Sequence, residues 1–446
     1  MKVLVLNGSP AGDNSITLYT VKYIQKHFPD HEFEVLNVGQ RIRACEKDFA
    51  PCKKALEEAE LILFCYPVYT FLVPAQLHRF IELMKENGAD VKGRIATQVT
   101  TSKHFYDVTA HRFIQENCAD LGLNYVRGLS ADMDDLTTEQ GRKEALDFFS
   151  FVLKSAERGW FEPSPLPVTV KKQPVVSAPT PPPAEDRRPG KVVIVGDFDA
   201  GSESDAPLRG LIESFRASLP MDSELVNIRE FPFAGGCLGC FRCASTGKCV
   251  YKDGFDDYLR NNIQSADALV YAYTVKDHSM GYRFKLFDDR QFCNGHRTVT
   301  MGKPVGYLVS GNLDAEPNLR MLMESRAQVG GNFLAGIANS GADVARVAQV
   351  LTYAVAHHYL PPKDFYGVGG LKIFRDLIYQ MQGLMREDHR FYKEHGFYDF
   401  PQKRKGRIVA MYAVGSLMGN EKLRKKAGDK MTEGMVMPYK KILEKY

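Results

Sequence analysis

Four of the chain's nine cysteines fall within thirteen residues, in the stretch "GGCLGCFRCASTGKCVYKDGFDD" from Gly235 to Asp257. Cys237, Cys240, Cys243 and Cys249 form C-x2-C-x2-C-x5-C. Zinc sites usually use two C-x2-C hooks separated by a longer loop, so that four sulfurs surround one ion tetrahedrally. Three cysteines at two-residue gaps with a fourth close behind match the way one polypeptide wraps a cubane 4Fe-4S cluster. Gly239 leaves room for backbone N–H groups to approach the sulfides, and Gly235 and Gly236 permit a tight turn. The spacing therefore favours a 4Fe-4S cluster over zinc, and over reactive or merely structural thiols.

The rest of the composition sets the compartment in which those thiols work. At 446 residues, with 44% apolar and 25% charged residues, the chain is long enough for two or three globular domains. The opening "MKVLVLNGSP" has too short an apolar run for a secretory signal, and no run approaches the roughly 18 to 20 apolar residues of a membrane span. A cytoplasmic protein without a membrane span is the expectation, and there clustered cysteines hold metal or do redox work more often than they pair. The net charge of +4 is uneven: residues 401–446 carry twelve Lys or Arg against four Asp or Glu, a +8 tail on a −4 remainder. Such a tail suits an anionic surface or an acidic redox partner, although a solvated helical face is the simpler reading. It has no base-reading motif, and no nucleic-acid partner is expected.

The elements that must position the cysteines come in two copies. Residues 162–190 hold nine of the 23 prolines, the composition of an extended spacer. On either side the chain starts alike, with an aliphatic strand, a small-residue loop and a helix: "MKVLVLNGSPAGDNSITLYTVKYIQKHF" and "GKVVIVGDFDAGSESDAPLRGLIESFRASL". Second strands ("HEFEVLNV", "SELVNIRE"), buried third strands ("LILFCYPVY", "ALVYAYTVK") and fourth strands ("GRIATQVTT", "KPVGYLVSG") follow in the same order. Continuous apolar strand runs alternating with helices indicate an α/β chain of two doubly wound parallel-sheet domains. The expected boundaries are 1–160, a Pro-rich linker at 161–190, 191–360 with the cysteine set, and a helical, basic C-terminal extension at 361–446. The aromatics and methionines of that extension are expected to pack against the second domain or a subunit partner rather than to line a redox pocket.

Ligands of doubly wound sheets bind beyond the carboxyl ends of the strands. The first such loop, "NGSPAGDNSIT", offers hydroxyls, a glycine and a helix N-terminus to a phosphate, or else merely a helix cap on Asn14 or Ser15. The second, "YPVYTFLVPAQL", with the first, closely resembles the flavin loops of the flavodoxin-like NAD(P)H-dependent FMN reductases. That resemblance implies that Ser9, Asn14, Ser15 and Thr17 bind the FMN phosphate. Pro67, Val68, Tyr69, Thr70 and Phe71 would border the flavin ring, with Thr100, Thr101, Ser102 and His104 of "TTSKHFYD" on its far side. The second copy departs from the pattern. Its first loop carries Asp197, Asp199, Glu203 and Asp205 with no cation among them, and its other loop lacks "PVY" and "PAQL", so FMN is expected in the first domain.

The cysteines, followed by "YKDGFDD", occupy the place that a compact cysteine motif takes in the iron-sulfur flavoproteins, a branch of the same group. The chain thus resembles a tandem duplication with flavin loops in one copy and the cluster in the other. Family dimers place the cluster of one subunit against the flavin of the other, which implies an internal pseudo-dimer here and leaves a homodimer of the whole chain open. The implied activity is electron transfer between NAD(P)H or a ferredoxin, FMN, the cluster and a small-molecule or protein acceptor. No catalytic triad or acid/base pair is evident. A cluster-free FMN-dependent quinone or nitro-compound reductase and a non-catalytic redox-sensing module are the alternatives. Cys45 and Cys52, at the equivalent place in the first copy, are too few for a cluster, and Cys65, Cys118 and Cys293 read as packing residues. Lys276, His278 and Arg283 are candidates to steer an anionic substrate, against the plainer reading of surface charge.

Overall fold

The computed structural model describes residues 1–165 and 190–419. Most of the Pro-rich linker and residues 420–446 of the basic tail lie outside the described residues. The first half runs β1 (Lys2–Asn7), α1 (Ile16–His27), β2 (Glu32–Leu36), α2 (Ile42–Lys47), α3 (Ala50–Glu58), β3 (Leu61–Pro67), α4 (Ala75–Glu86), β4 (Ile95–Ser102), α5 (Asp107–Asp120), β5 (Asn124–Tyr125), β6 (Leu129–Asp132) and α6 (Glu139–Arg158). The second runs β7 (Lys191–Gly196), α7 (Ala206–Ser218), β8 (Asp222–Asn227), α8 (Arg242–Thr246), α9 (Phe255–Tyr258), β9 (Ala268–Thr274), α10 (Gly281–Arg290), β10 (Pro304–Ser310), α11 (Pro317–Gly330), β11 (Phe333–Ala338) and α12 (Gly341–His357). Then come α13 (Phe365–Gln380), α14 (Arg386–Glu394) and α15 (Lys405–Gly419).

All strand pairings are parallel, in the order β2-β1-β3-β4-β5 with β6 also on β4, and β8-β7-β9-β10-β11. Both are the 2-1-3-4-5 order of a flavodoxin-like sheet. The central strands are covered on both faces, which is why "LILFCYP" and "KVLVLN" are nearly unbroken apolar runs and do not alternate. Met1–Phe391 forms one compact unit holding both sheets, and the rest of the chain a second unit. Within the second unit α15 exposes Val409, Met411 and Tyr412. No helix among the described residues is long and apolar enough to cross a membrane.

The two sheets are joined through α4 and α10. Asp289 near the end of α10 accepts a hydrogen bond from Ala75 N, the first residue of α4, at 2.8 Å. Glu82 of α4 accepts one from Tyr282 N, at the start of α10, at 2.9 Å. Each acid thereby satisfies an N–H that its partner helix leaves open at its first turn, and sits at the positive end of that helix's dipole. The turns before the two helices are also alike. Tyr69 and Leu72 exchange backbone hydrogen bonds of 2.8 and 2.9 Å across Thr70 and Phe71, both at positive φ (+42° and +70°). Lys276 and Ser279 do so at 2.9 and 3.0 Å across Asp277 (φ +51°) and His278 (φ +61°). These are type I′ turns built without glycine, a backbone cost of order 1–3 kcal/mol per residue that surrounding packing must offset.

Buried charge tightens the same seam. Lys285, fully buried, donates to Thr70 Oγ1 at 2.6 Å and Tyr69 O at 3.0 Å and pairs with Asp289, which also accepts from Thr70 Oγ1 at 2.9 Å. His278 lies between Asp120 (3.0 Å) and Glu316 (3.1 Å), and Lys85 also bonds Asp120 at 2.6 Å. Burial alone would pull His278 down, but its hydrogen bonds to Asp120 and Glu316 outweigh this and raise it to about 10. Lys276 is likewise held by Glu82 at 3.0 Å, so neither residue is a free cation for steering a substrate.

Two outcomes follow from this seam. Asp289→Ala leaves the Lys285 ammonium buried without its carboxylate and should cost about 3–5 kcal/mol in urea unfolding, most of it regained in Asp289→Ala/Lys285→Met. The folded pKa of His278 lies above the ordinary imidazole value of 6.5, so its contribution is complete below pH 6.5 and fades as pH rises towards 10. His278→Asn, which tolerates the left-handed backbone, should flatten that part of the stability–pH profile; an unchanged slope would contradict the clamp.

Candidate functional site

The loop after β1 is organised by Asn7. Its buried amide donates to Gly12 O at 2.9 Å and Asn37 Oδ1 at 2.8 Å, while its oxygen accepts from Ser9 N at 3.2 Å. Ser15 stands at the N-cap position of α1 in extended backbone (φ −74°, ψ 125°), yet its side chain makes no capping hydrogen bond. Ser15 is buried, and its hydroxyl leaves the N–H groups of the first helical turn without a side-chain cap. The Thr17 hydroxyl is spent on Thr101 Oγ1 at 2.6 Å, which ties the loop to the end of β4.

Beyond β3, Tyr69 reaches from the first domain into the cysteine loop of the second. A Cβ on Gly239, which has φ +63°, would lie 2.0 Å from the Tyr69 hydroxyl oxygen, so glycine is required there twice over. Burial drives the Tyr69 phenol well above its ordinary pKa, with Cys237 adding to the effect, so it stays protonated. Gln76 Nε2 donates to Cys237 O at 3.3 Å, and Arg43 donates to Ala234 O. Behind Tyr69, Phe71 packs on Phe105 and Tyr106 at 4.8 and 4.5 Å, and the Arg326 guanidinium lies 5.5 Å over its ring.

Two arginines hold the cysteine loop from beneath. Arg290, 1% exposed, forms a bidentate pair with Asp253 of "YKDGFDD" (2.7 and 2.8 Å), donates to Gly235 O at 2.9 Å and stacks 4.5 Å over the Tyr251 ring. Arg260 donates to Gly247 O at 2.7 Å and Cys293 O at 3.2 Å. All nine cysteines are free thiols. Burial pushes Cys237 up and Cys243 to about 11, and the neighbouring cluster cysteines add to both shifts. Gly239 N–H points to Cys237 Sγ at 3.5 Å.

These loops enclose one cavity of about 440 Å³, within the usual range for a cofactor or substrate pocket. Its wall includes Ser9, Asn14, Ser15, Thr17, Pro67, Val68, Tyr69, Thr70, Phe71, Thr101 and Ser102 from the first domain, and Cys237, Cys240, Cys243 and Cys249 from the second. Thr100 and His104 are not in that wall. The Thr100 hydroxyl meets His111 Nε2 at 2.9 Å, and the His104 ring, at an exposed position, meets Ser130 Oγ at 3.1 Å. Tyr271, Tyr273, Tyr307 and Phe284 also line the cavity, with the Asp288–Arg326 ion pair. Phe374 and Leu377 of α13 and Met381 just after it also face the cavity, so this part of the C-terminal region lines a pocket where the sequence suggests packing against the second domain or a partner. Phe374 also packs on Phe105 at 4.1 Å.

The sequence offered no signal for Arg290 or Arg326, because each acts from a distant segment; for α13 it shows the helix and its aromatics but not the cavity they face. Cys293, buried, also lines the cavity, while Cys65 and Cys118 are core residues. Cys45 and Cys52 touch each other, Sγ to Sγ, at 3.6 Å.

The equivalent loop of the second domain is filled by its own side chains. Asp205 Oδ2 accepts from Asp199 N at 2.6 Å, as a phosphate oxygen would. The cation missing from the loop sequence comes from Arg229, beyond β8, at 2.7 Å from Asp197, 3.8 Å from Asp199 and 3.5 Å from Asp205. One guanidinium thus offsets part of the loop's negative charge, and Asp205 already occupies the Asp199 N–H that a phosphate oxygen would take.

Residues 1–114 match the family model of NADPH-dependent FMN reductase. An iron-sulfur flavoprotein of Archaeoglobus fulgidus is 34% identical over 73 residues, 16% of this chain, and the chain covers 33% of that relative's length. Among solved structures, an FMN-dependent NADH-azoreductase from Bacillus anthracis, in complex with FMN, is 15% identical, with 35% of this chain and 99% of that one covered at a TM-score of 0.27. A flavoenzyme NAD(P)H:(acceptor) oxidoreductase from Paracoccus denitrificans is 18% identical, with 35% and 95% covered at a TM-score of 0.29. Over residues 1–114, which supply the β1 loop and the "YPVYTF" turn, the chain is therefore similar to the NADPH-dependent FMN reductase family.

Proposed function

We propose that the chain is an FMN- and iron-sulfur-dependent oxidoreductase that moves electrons between NAD(P)H or a ferredoxin, FMN and a 4Fe-4S cluster, and on to an acceptor. The observation that carries this reading is the single cavity walled by the β1 loop and "YPVYTF" turn of one domain and by all four clustered cysteines of the other.

The residues present fit both groups. For FMN, the uncapped Ser15 hydroxyl, Ser9 and the start of α1 offer donors to a phosphate dianion, and Pro67 to Phe71 offer a mostly apolar wall to a flat ring. For the cluster, the four cysteines are free thiols, and Cys237 and Cys243, raised mainly by burial, are raised further by their neighbouring cysteines. The Arg290 guanidinium lies close enough to Cys249 for the two to interact, so it would offset the negative charge of bound thiolates. FMN exchanges electrons in pairs or singly and the cluster exchanges them singly, so together they join two-electron to one-electron chemistry.

The protein's own part is positioning. Tyr69, protonated and wedged over Gly239, sets the distance between the two loops, and Arg290 and Arg260 keep the cysteine loop from moving away. Phe374, Leu377 and Met381 shield the cavity from water. The tyrosine-lined part of the cavity favours a small flat acceptor, such as a quinone or nitro compound, over a protein one.

Protein purified without oxygen should contain about one FMN and about four iron and four sulfide per chain. NADPH or dithionite should bleach the flavin and cluster absorption together. Cys240→Ser should remove iron and sulfide while FMN stays bound. Flavin without iron would identify a cluster-free reductase, and flavin that no reductant bleaches would point to a non-catalytic module. Gly239→Ala should lower stability by about 1–2 kcal/mol from its left-handed backbone alone. By expelling Tyr69 it should also reduce iron content with FMN retained; normal iron content would contradict the wedge.

A further inference from the structure

The repeat that pairs α4 with α10 creates two equivalent polar nodes, and they are not equally complete. The offset relating Ala75 to Tyr282 and Glu82 to Asp289 also relates Thr70 to Asp277 and His78 to Lys285. In the first node the Lys285 ammonium sits among Thr70 Oγ1, Tyr69 O and Asp289, and its hydrogen bonds are made. In the second, the place of that cation is taken by the imidazole of His78, which is 0% exposed with neither ring nitrogen hydrogen-bonded. Around it stand two carboxylates: Glu82, also fully buried, with Oε1 at 3.9 Å from His78 Nε2, and Asp277, whose Oδ2 is buried without a partner.

We propose that His78, Glu82 and Asp277 bind a divalent transition-metal ion of the zinc class, which takes the place in this node that the Lys285 ammonium takes in the other. One ligand atom from each residue lies within 4.8 Å of the others. Tetrahedral ligands at about 2.0–2.2 Å from a metal stand roughly 3.4 Å apart, so small side-chain rotations close the set, with water as a fourth ligand. One imidazole and two carboxylates suit zinc, cobalt or nickel better than magnesium or calcium. Lys276 and Lys85 hold the outer oxygens, at 3.0 Å from Glu82 Oε2 and 3.0 Å from Asp277 Oδ1. Each has a second acid to turn to, Glu86 at 3.7 Å and Asp120 at 2.6 Å, so an incoming dication can displace them without stranding them. Because the ligands come from both domains, the bound ion clamps the seam.

The test uses full-length, chelator-treated protein titrated with cobalt(II), whose thiolate complexes absorb intensely while nitrogen and oxygen complexes show only weak visible bands. Wild type should take up one equivalent with the weak spectrum, besides any thiolate-bound cobalt, and zinc should raise its thermal midpoint. His78→Lys, which copies the other node, should fold, lose that equivalent and lose the zinc-dependent rise. Asp277→Asn, in a turn where Asn tolerates positive φ, should lose the same equivalent and serves if the lysine variant does not fold. Wild type without a saturable weak-spectrum equivalent, or variants that retain it, would overturn the site. The flavin and cysteine chemistry does not enter either result.

Discussion

Asp289 caps the start of α4 while Glu82 caps the start of α10, and the orientation of the two halves follows from that exchange. A carboxylate buried against a foreign helix N-terminus has little freedom: it must meet N–H groups along one axis, and burial makes its loss expensive. Two such contacts, running in opposite directions, fix the helices side by side. The turn before each helix then lies over the other domain, so Tyr69 arrives above Gly239 and the "YPVYTF" turn shares a cavity wall with the four cysteines. Removing the exchange would loosen a seam that is otherwise held by Lys285, His278 and an apolar core common to both halves.

The pseudo-symmetry of the seam makes the asymmetry of everything around it easier to read. One β1-type loop keeps an uncapped Ser15 and open N–H groups. Its counterpart turns Asp205 inward to do what a phosphate oxygen would do, with Arg229 offsetting part of the negative charge. One place carries four thiols pinned by Arg290 and Arg260, and the other has two cysteines in mutual contact at 3.6 Å. In a symmetric homodimer each site appears twice, and any change in one is copied in the other. Joining the copies in one chain lifts that constraint, so one pair of loops can be kept for a cofactor while the opposite pair is filled by side chains.

Much of this organisation was legible in the residues themselves. Unbroken aliphatic runs such as "LILFCYP" specify strands buried on both faces, because alternation would leave polar groups under a helix. The order of strands and helices, met twice, gave the duplicated sheet. The cysteine spacing and the hydroxyl-rich loop were visible because each is local: its function needs neighbouring side chains on one short turn. The helix-cap reading of Ser15 was equally consistent with the sequence, and the absence of a capping hydrogen bond is a matter of side-chain rotation.

Sequence by itself determined the fold class, the doubled architecture and the residue types available for chemistry, since these depend on periodicity and short-range spacing. Tertiary structure decided which of them meet. That Arg290 grips Asp253, that Arg229 pairs with three acids of the β7 loop, that α13 walls the cavity and that His78 faces Asp277 across the seam all join segments far apart in the chain. Side-chain pairing over such separations is set by how the two sheets dock, and part of that docking rests on two buried carboxylates whose partners are backbone N–H groups. Every residue but proline offers that N–H, so nothing in the string of letters marks which one is taken.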